Sequence, residues 1–314
     1  MDVLPLDLGV HLADLQRLLN RHVAAVVPGW GVTREFITEN LGRRTPGPGT
    51  EEAICALEGR RFVAALGLRH HGDGPEVVGF NRGLGVINWL LVDPAYGTIG
   101  TELIAEARRR LQRLGSTRAS ANWDVGLPLP YGVADTWTHL IASLEGAGFA
   151  AAIRPYWVEE VWGGPMPARL AAPSAPVEMV QIRRRLGDEG TEFLALADGV
   201  EVGHCDCVPG LSRSGRLPLL DGWGQIADLF VEEAWRGRGV GTTLMNHATS
   251  WMRLAGCARV VLSVPSGSDS PEAHRFYPRF GWSRWATQFK VWQPRDQGAG
   301  DAEGPNPTSR AHVR

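Results

Sequence analysis

Arg236, Gly237, Arg238, Gly239 and Gly241 stand between a short apolar run and an amphipathic stretch, a combination of residue types suited to holding a phosphorylated ligand. Three glycines in five positions strip side chains from the loop, and two arginines add positive charge. Residues 226–231 read as a buried strand, whereas Val240, Leu244, Ala248, Trp251, Met252 and Ala255 recur at helical spacing. The loop therefore delivers a helix N-terminus, whose first N–H groups lack intrahelical partners and carry partial positive charge. A diphosphate approaches such amides closely where side chains are absent. The candidate ligands are the amides of Gly237, Arg238, Gly239, Val240, Gly241 and Thr242, together with the side chain of Arg236.

Two other glycine-rich loops fit less well. A dinucleotide loop needs G-x-G-x-x-G directly after its strand, but here Gly239-Val240-Gly241 is followed by Thr242, Thr243 and Leu244. The lysine of a P-loop is absent, since Lys290 is the chain's single lysine. A bare turn would explain the glycines but not the strand and helix that flank them.

Arg236-x-x-Gly239-x-Gly241 resembles the Q/R-x-x-G-x-G/A motif of the GNAT superfamily of acyl-CoA-dependent N-acyltransferases, and the preceding Asp228-Leu229-Phe230-Val231 resembles that family's fourth strand. Downstream, residues 258–264 read as the next strand. The segment from Ser270 through Ala273, Phe276 and Tyr277 to Gly281 and Trp282 then resembles the family's N-x-x-A-x-x-F-Y-x-x-x-G-F helix. The resemblance implies transfer of an acetyl group from acetyl-CoA, as cosubstrate, to a primary amine of a small molecule or peptide, directly within a ternary complex. It further implies that the backbone of Leu229, Phe230 and Val231 pairs with pantetheine and polarises the thioester carbonyl, that Tyr277 protonates the leaving thiolate, and that Ser270 contacts CoA.

The residues qualify this picture at several points. Tyr277 also reads as a packed aromatic beside Phe276, and Pro278 removes a helical N–H and biases Tyr277 away from helical geometry. Ala227 stands where polyamine-type relatives carry a glutamate, so the adjacent Asp228 is the candidate base or ammonium anchor; strand alternation, which sends its side chain to the face opposite residue 227, offers the alternative that it caps backbone groups. His204, Asp206 and Asp221 are alternatives acting through water. His204-Cys205-Asp206-Cys207 suggests a metal cluster, but alternate strand residues face opposite ways, and no metal is expected. Trp223 and Trp235 flank the fourth strand and are expected near the pocket. A non-catalytic acyl-CoA-binding sensor is the competing function.

Composition sets the background. Hydrophobic residues at 44%, charged residues at 21% and a net charge of −2 describe a soluble globular protein with no basic run for nucleic acid. Four cysteines in 314 residues make no disulfide framework, the N-terminus lacks a basic leader, and the apolar runs are too short to span a bilayer. A cytoplasmic monomer or homodimer, without membrane or nucleic-acid partners, is expected.

The elements that must position this chemistry occur twice. Residues 92–96 and 99–103 echo residues 231–235 and 240–244: Gly100 aligns with Gly241, Leu103 with Leu244, Ala107 with Ala248 and Gly115 with Gly256. The first copy is two residues shorter in the loop, lacks the arginine and middle glycine, and has Leu144 where the second has Tyr277. The expected class is α/β (an α+β mixed sheet): two tandem GNAT-like domains, each a mixed, mostly antiparallel sheet flanked by helices, with a degenerate first copy. Residues 1–162 form that copy, 163–176 a Pro/Ala/Gly-rich linker, 177–295 the catalytic domain and 296–314 a disordered tail. Two helices, over residues 8–19 and 33–41, precede the first copy's strands. In the second copy residues 177–185 pass almost directly into strands at 192–197 and 200–208.

Overall fold

The computed structural model describes residues 1–41, 48–154, 156–168, 180–187, 190–212, 217–266 and 272–296. They form two compact units, one of Met1–Glu159 with the chain from Ala286 onward, the other Glu160–Trp285.

The first unit begins with β1 (Asp2–Pro5), α1 (Leu8–Val26) and α2 (Arg34–Asn40), where Asp7 and Thr33 cap the two helices by accepting from the Gly9 and Phe36 amides. There follow β2 (Thr50–Glu58), β3 (Arg61–His70), β4 (Leu84–Val92), α3 (Gly97–Arg113), β5 (Arg118–Ala121), β6 (Val133–Ala134), α4 (Thr138–Gly146) and β7 (Phe149–Ala151). The second unit holds β8 (Val158–Pro165), β9 (Gln181–Leu186), β10 (Thr191–Ala197), β11 (Val200–Pro209), β12 (Trp223–Val231), α5 (Val240–Leu254), β13 (Arg259–Pro265) and α6 (Ala273–Phe276); β14 (Ser283–Phe289) and β15 (Trp292–Pro294) follow. Among the described residues no helix is long and apolar enough to cross a membrane.

The first sheet has the order β1-β2-β3-β4-β5-β15-β7, and the second unit's strands run β8-β13-β12-β11-β10-β9. β4 pairs with β5 and β12 with β13 in parallel, whereas the neighbouring hairpins are antiparallel. This is the mixed α/β architecture expected. The duplication also extends to its irregularities. Asn88 is skipped in the register of β3 with β4, and Ala227 in that of β11 with β12. The parallel ladders end at Ile87↔Ala121 and Ile226↔Leu262. Ile87 aligns with Ile226 and Asn88 with Ala227 in the sequence repeat, so both copies keep a bulge where their parallel pairing stops.

Three sequence boundaries differ in the structure. Residues 163–165, read as the start of a linker, lie in β8, where the glycines answer to packing. A Cβ on Gly163 would meet the Trp285 ring at 2.3 Å, and one on Gly164 would meet Trp282 at 2.9 Å. The second unit accordingly starts at Glu160 and not at 177. At the other end, β15 joins the first sheet through Trp292↔Ala121 and Trp292↔Ala151, which buries the Trp292 indole. Ser270, residues 169–179 of the linker region and residues 297–314 of the tail lie outside the described residues.

In the second unit Val240, Leu244, Met245, Ala248 and Met252 of α5 pack on Cys205, Cys207, Ile226, Val260 and Leu262 of the sheet. Each of the larger aliphatic side chains gains about 1.5–3 kcal/mol from burial. That packing fixes the N-terminus of α5 against the end of β12.

Candidate functional site

A cleft of about 430 Å³ opens in the second unit where β12 and β13 part company. One wall is β12 from Ile226 to Val231, the opposite wall is β13 from Leu262 to Pro265, the floor is the α5 N-terminus, and α6 closes the side. The opening follows from the register. Parallel pairing ends at Ile226↔Leu262, so the edge of β12 beyond it is left without a β13 partner.

The glycine loop takes the form its sequence implies. Gly237 has φ 73° and Gly239, the N-cap of α5, has φ 84°, left-handed values that glycine adopts without the steric cost a Cβ incurs. The Thr243 amide bonds to the Gly239 carbonyl at 3.0 Å and closes the first turn. The amides of Gly239, Val240, Gly241 and Thr242 are those a helix start leaves for a ligand. Gly237, Gly239, Gly241 and Thr242 line the cleft. Arg236 lines it too, its Nε donating to the Val231 carbonyl at 3.0 Å. Arg238 lies over the Trp235 ring at 5.3 Å. Trp235 lines the cleft as expected, but Trp223 does not. It is buried against Trp285 and under Arg259, a core residue of the sheet.

Strand alternation was expected to separate Ala227 from Asp228. The bulge at Ala227 cancels it, and both residues are exposed and line the cleft. Asp228 has both oxygens engaged. Oδ1 accepts from its neighbour's amide, Leu229 N, at 2.8 Å, and Oδ2 lies 3.0 Å from His204 Nε2. His204 Nδ1 is in turn 2.9 Å from Glu201 Oε1. The hydrogen bond His204 donates to Asp228, opposed by partial burial and aided by Glu201, pushes the His204 pKa up to about 9, so the imidazolium persists at neutral pH. Asp228 thus caps a backbone donor, and the donor it caps, Leu229 N, belongs to the strand segment expected to face the thioester. Leu229, Phe230 and Val231 all line the cleft.

The His-Cys-Asp-Cys run divides as alternation requires. His204 faces Asp228, while Cys205 is buried with Sγ 3.9 Å from Met245 Sδ. Burial raises the Cys205 and Cys207 thiols above their ordinary pKa and leaves them protonated.

Tyr277 keeps helical angles, φ −67° and ψ −33°, despite the proline that follows. The chain accommodates Pro278 by tightening from α6 into a 3-10 turn over Tyr277–Phe280, where Pro278 occupies an early position whose N–H is dispensable. Gly281, at φ 80°, then ends the turn. The Tyr277 ring sits among Phe276, Trp162 and Trp282 with centroids at 5.3, 6.0 and 6.2 Å. The residue is 6% exposed and faces the cleft, and among the described residues its phenol makes no hydrogen bond. Burial, reinforced by Asp228, raises its pKa beyond the usual phenol range, which favours the protonated, donating form.

Sequence reasoning did not find Trp162 of β8 beside Tyr277, nor the link from Glu201 through His204 to Asp228. Both depend on neighbours across the sheet. Arg275 and Arg279, which also line the cleft, were visible as an i, i+4 pair.

The corresponding region of the first unit is filled. Where β5 ends, the Asn122 amide bonds to Ile87 O at 2.9 Å and the Asp124 amide to Asn88 O at 2.8 Å. The buried Trp123 indole donates to Leu90 O at 3.1 Å. Trp137 lies against Trp123 at 4.7 Å and donates to the His22 carbonyl at 2.9 Å, while His22 Nε2 is 3.0 Å from His139 Nε2. Burial lowers the His22 pKa to about 4. Helix α4 presses on the start of α3 so closely that a Cβ on Gly100 would lie 2.2 Å from Ser143 Oγ; one on Gly241 would sit 3.6 Å from Phe276.

Residues 156–282 match the Acetyltransferase (GNAT) family. An aminoglycoside N(6')-acetyltransferase type 1 from Stenotrophomonas maltophilia is 32% identical over 118 residues, 35% of this chain and 71% of that protein. The chain belongs to the GNAT acetyltransferase family. Among solved structures it is similar to a GCN5-related N-acetyltransferase from Sphaerobacter thermophilus, with TM-score 0.61, 16% identity, and 93% and 95% of the two chains covered. It is likewise similar to a tandem GNAT protein from the clavulanic acid biosynthesis pathway, with TM-score 0.58, 16% identity and 93% and 97% coverage. The fold is that of tandem GNAT domains.

Proposed function

We propose that the second unit transfers an acetyl group from acetyl-CoA to a primary amine of a small molecule or peptide, directly and without a covalent enzyme intermediate. The observation that carries this reading is the buried Tyr277 phenol, without a hydrogen-bond partner among the described residues and facing the cleft that also receives the α5 N-terminus and the open edge of β12. The hydroxyl opens on the cleft, where its donor is free for a ligand.

The steps follow from the positions of the groups. The helix amides hold the diphosphate, and pantetheine extends along residues 229–231 as an added strand. The neutral amine attacks the thioester carbon, the carbonyl oxygen gains charge beside Leu229 N, the carbon–sulfur bond breaks as Tyr277 supplies a proton to sulfur, and the proton shed by the acylated nitrogen restores the phenol through water. Leu229 N becomes available when Asp228 Oδ1 leaves it. The freed carboxylate, still steadied by His204, stands at the cleft as anchor or base for the incoming ammonium. The similarity to an aminoglycoside N(6')-acetyltransferase supports aminoglycoside amines as the acceptors to try first.

The test is release of free thiol from acetyl-CoA with a panel of aminoglycosides, polyamines, amino acids and peptides. Sustained turnover with one of them is expected. Tight CoA binding with no turnover on any acceptor would instead establish the binding-only sensor.

A further inference from the structure

Asp228 engages the backbone amide that the proposed chemistry assigns to the thioester. Its Oδ1 accepts from Leu229 N at 2.8 Å, its Oδ2 lies 3.0 Å from His204 Nε2, and His204 Nδ1 lies 2.9 Å from Glu201 Oε1. Asp228 and Leu229 both line the cleft, and the Asp228 side chain is 62% exposed. A carboxylate so open to water is not pinned to its neighbour's amide by core packing. Its two partners are also unlike. His204 offers a charged donor to one oxygen, whereas the amide offers a neutral donor to the other, so the hold on Leu229 N is the weaker of the two.

A thioester oxygen and a carboxylate oxygen compete for this donor, and a negative charge beside it opposes the charge that grows on the thioester oxygen. Acetyl-CoA seated alone therefore meets a donor already engaged. An ammonium group entering the cleft changes the balance, because it offers Asp228 Oδ1 a charged donor in place of a neutral one. From the acetyltransferase reading above, on which this inference rests, we propose that Asp228 is an acceptor-operated latch. Closed, it withholds the Leu229 amide and so protects bound acetyl-CoA from water; the acceptor's ammonium opens it and frees the amide for transfer. His204 and Glu201 are positioning residues that retain Oδ2 while Oδ1 turns away. The reaction withheld is hydrolysis: a water oxygen bonds to the thioester carbon, the carbon–sulfur bond breaks, one proton ends on sulfur and the other in solvent, giving CoA thiol and acetate.

Thiol and acetate release from acetyl-CoA, with no amine present, is measured on the full-length protein and on Asp228→Ala, with calorimetric binding of acetyl-CoA and a thermal melt on each. A hydrogen bond to a carboxylate holds the latch shut by roughly 10- to 100-fold, so acceptor-free release by the variant is expected to exceed that of wild type by about tenfold or more. Damage to a site lowers activity and does not produce such a gain. Asp228→Asn, which keeps a weaker acceptor for the Leu229 amide, should fall between the two. With the best acceptor of the amine panel, Asp228→Ala should show a KM raised about two- to fivefold, because the ammonium has lost its carboxylate. Acceptor-free release at or below the wild-type level, in variants that still bind acetyl-CoA, overturns the latch and leaves the acetyltransferase reading standing. Raised release with an unchanged acceptor KM also overturns it, since the acceptor would then not operate Asp228. Failure of the wild type to bind acetyl-CoA, or to acetylate any amine, overturns both readings.

Discussion

Replacing Tyr277 by Phe separates chemistry from packing at this site. The ring stays, so its contacts with Phe276, Trp162 and Trp282 remain and no cavity opens. The lost hydroxyl has no hydrogen-bond partner among the described residues and opens on the cleft, so its removal breaks no hydrogen bond within the protein. Stability should therefore stay within about 1 kcal/mol of wild type or rise slightly. The rate should not. A positioned general acid contributes roughly 100-fold or more, about 2.7 kcal/mol of barrier at 1.36 kcal/mol per tenfold. Thiol release at saturating acetyl-CoA and acceptor should fall by that factor. Burial holds the phenol protonated well above neutrality, so the wild-type to variant ratio should stay constant from about pH 6 to 9. A rate within about twofold of wild type refutes the acid role. A ratio that changes with pH across that window refutes the pKa argument, and a melting temperature lowered by many degrees shows that the hydroxyl was bonded after all.

Other perturbations probe the surrounding parts. Gly239→Ala forces a Cβ onto a residue at φ 84°, a strain of about 1–2 kcal/mol, and calorimetry should show acetyl-CoA binding weakened roughly tenfold. His204 has its pKa raised to about 9 by Asp228 and Glu201, so its stabilisation is complete below the unfolded value near 6.5 and is lost as pH rises through about 9. Urea midpoints across that interval should decline for wild type and flatten for His204→Gln; equal slopes would refute the bridge. Trp123→Ala removes a fully buried indole that donates to Leu90 O. It should cost about 3–5 kcal/mol, and acetyl-CoA should still bind at one equivalent per chain. A second equivalent, in wild type or variant, would contradict the reading of the first unit as closed.

Much of the second unit was legible because its signals are local. The strand ending at Val231, the positive-φ glycines and the buried face of α5 are all consequences of residue type and spacing. What sequence could not supply were effects set by neighbours across the sheet. The bulge at Ala227 is a property of its pairing with β11, so alternation gave the backbone cap that Asp228 makes but not its place on the cleft. The glycines of β8 looked like linker because the indoles lying on them come from residues more than a hundred positions away. Pro278 weakened the expectation for Tyr277 because the α-to-3-10 transition that accommodates it was not foreseen. β15 returns to the first sheet through a contact that no periodicity in three residues could announce.

The two copies show what distinguishes an open cleft from the fold that carries it. Both retain the bulge and both end their parallel ladder at the same repeat position, so splayed strands do not by themselves make a site. In the second copy the freed edge of β12 faces an open cleft. In the first, the peptide groups of Asn122 and Asp124 and the Trp123 indole satisfy the carbonyls of Ile87, Asn88 and Leu90, and α4 is drawn onto α3 at Gly100. Buried backbone acceptors must find donors. An open cleft can leave that edge to water and ligand, whereas the first copy closes it with its own side chains. The shortened loop and the tryptophan plug are then two parts of one change. Restoring the Arg-x-x-Gly-x-Gly loop alone at residues 96–100 should not restore CoA binding while Trp123 remains on the strand edge.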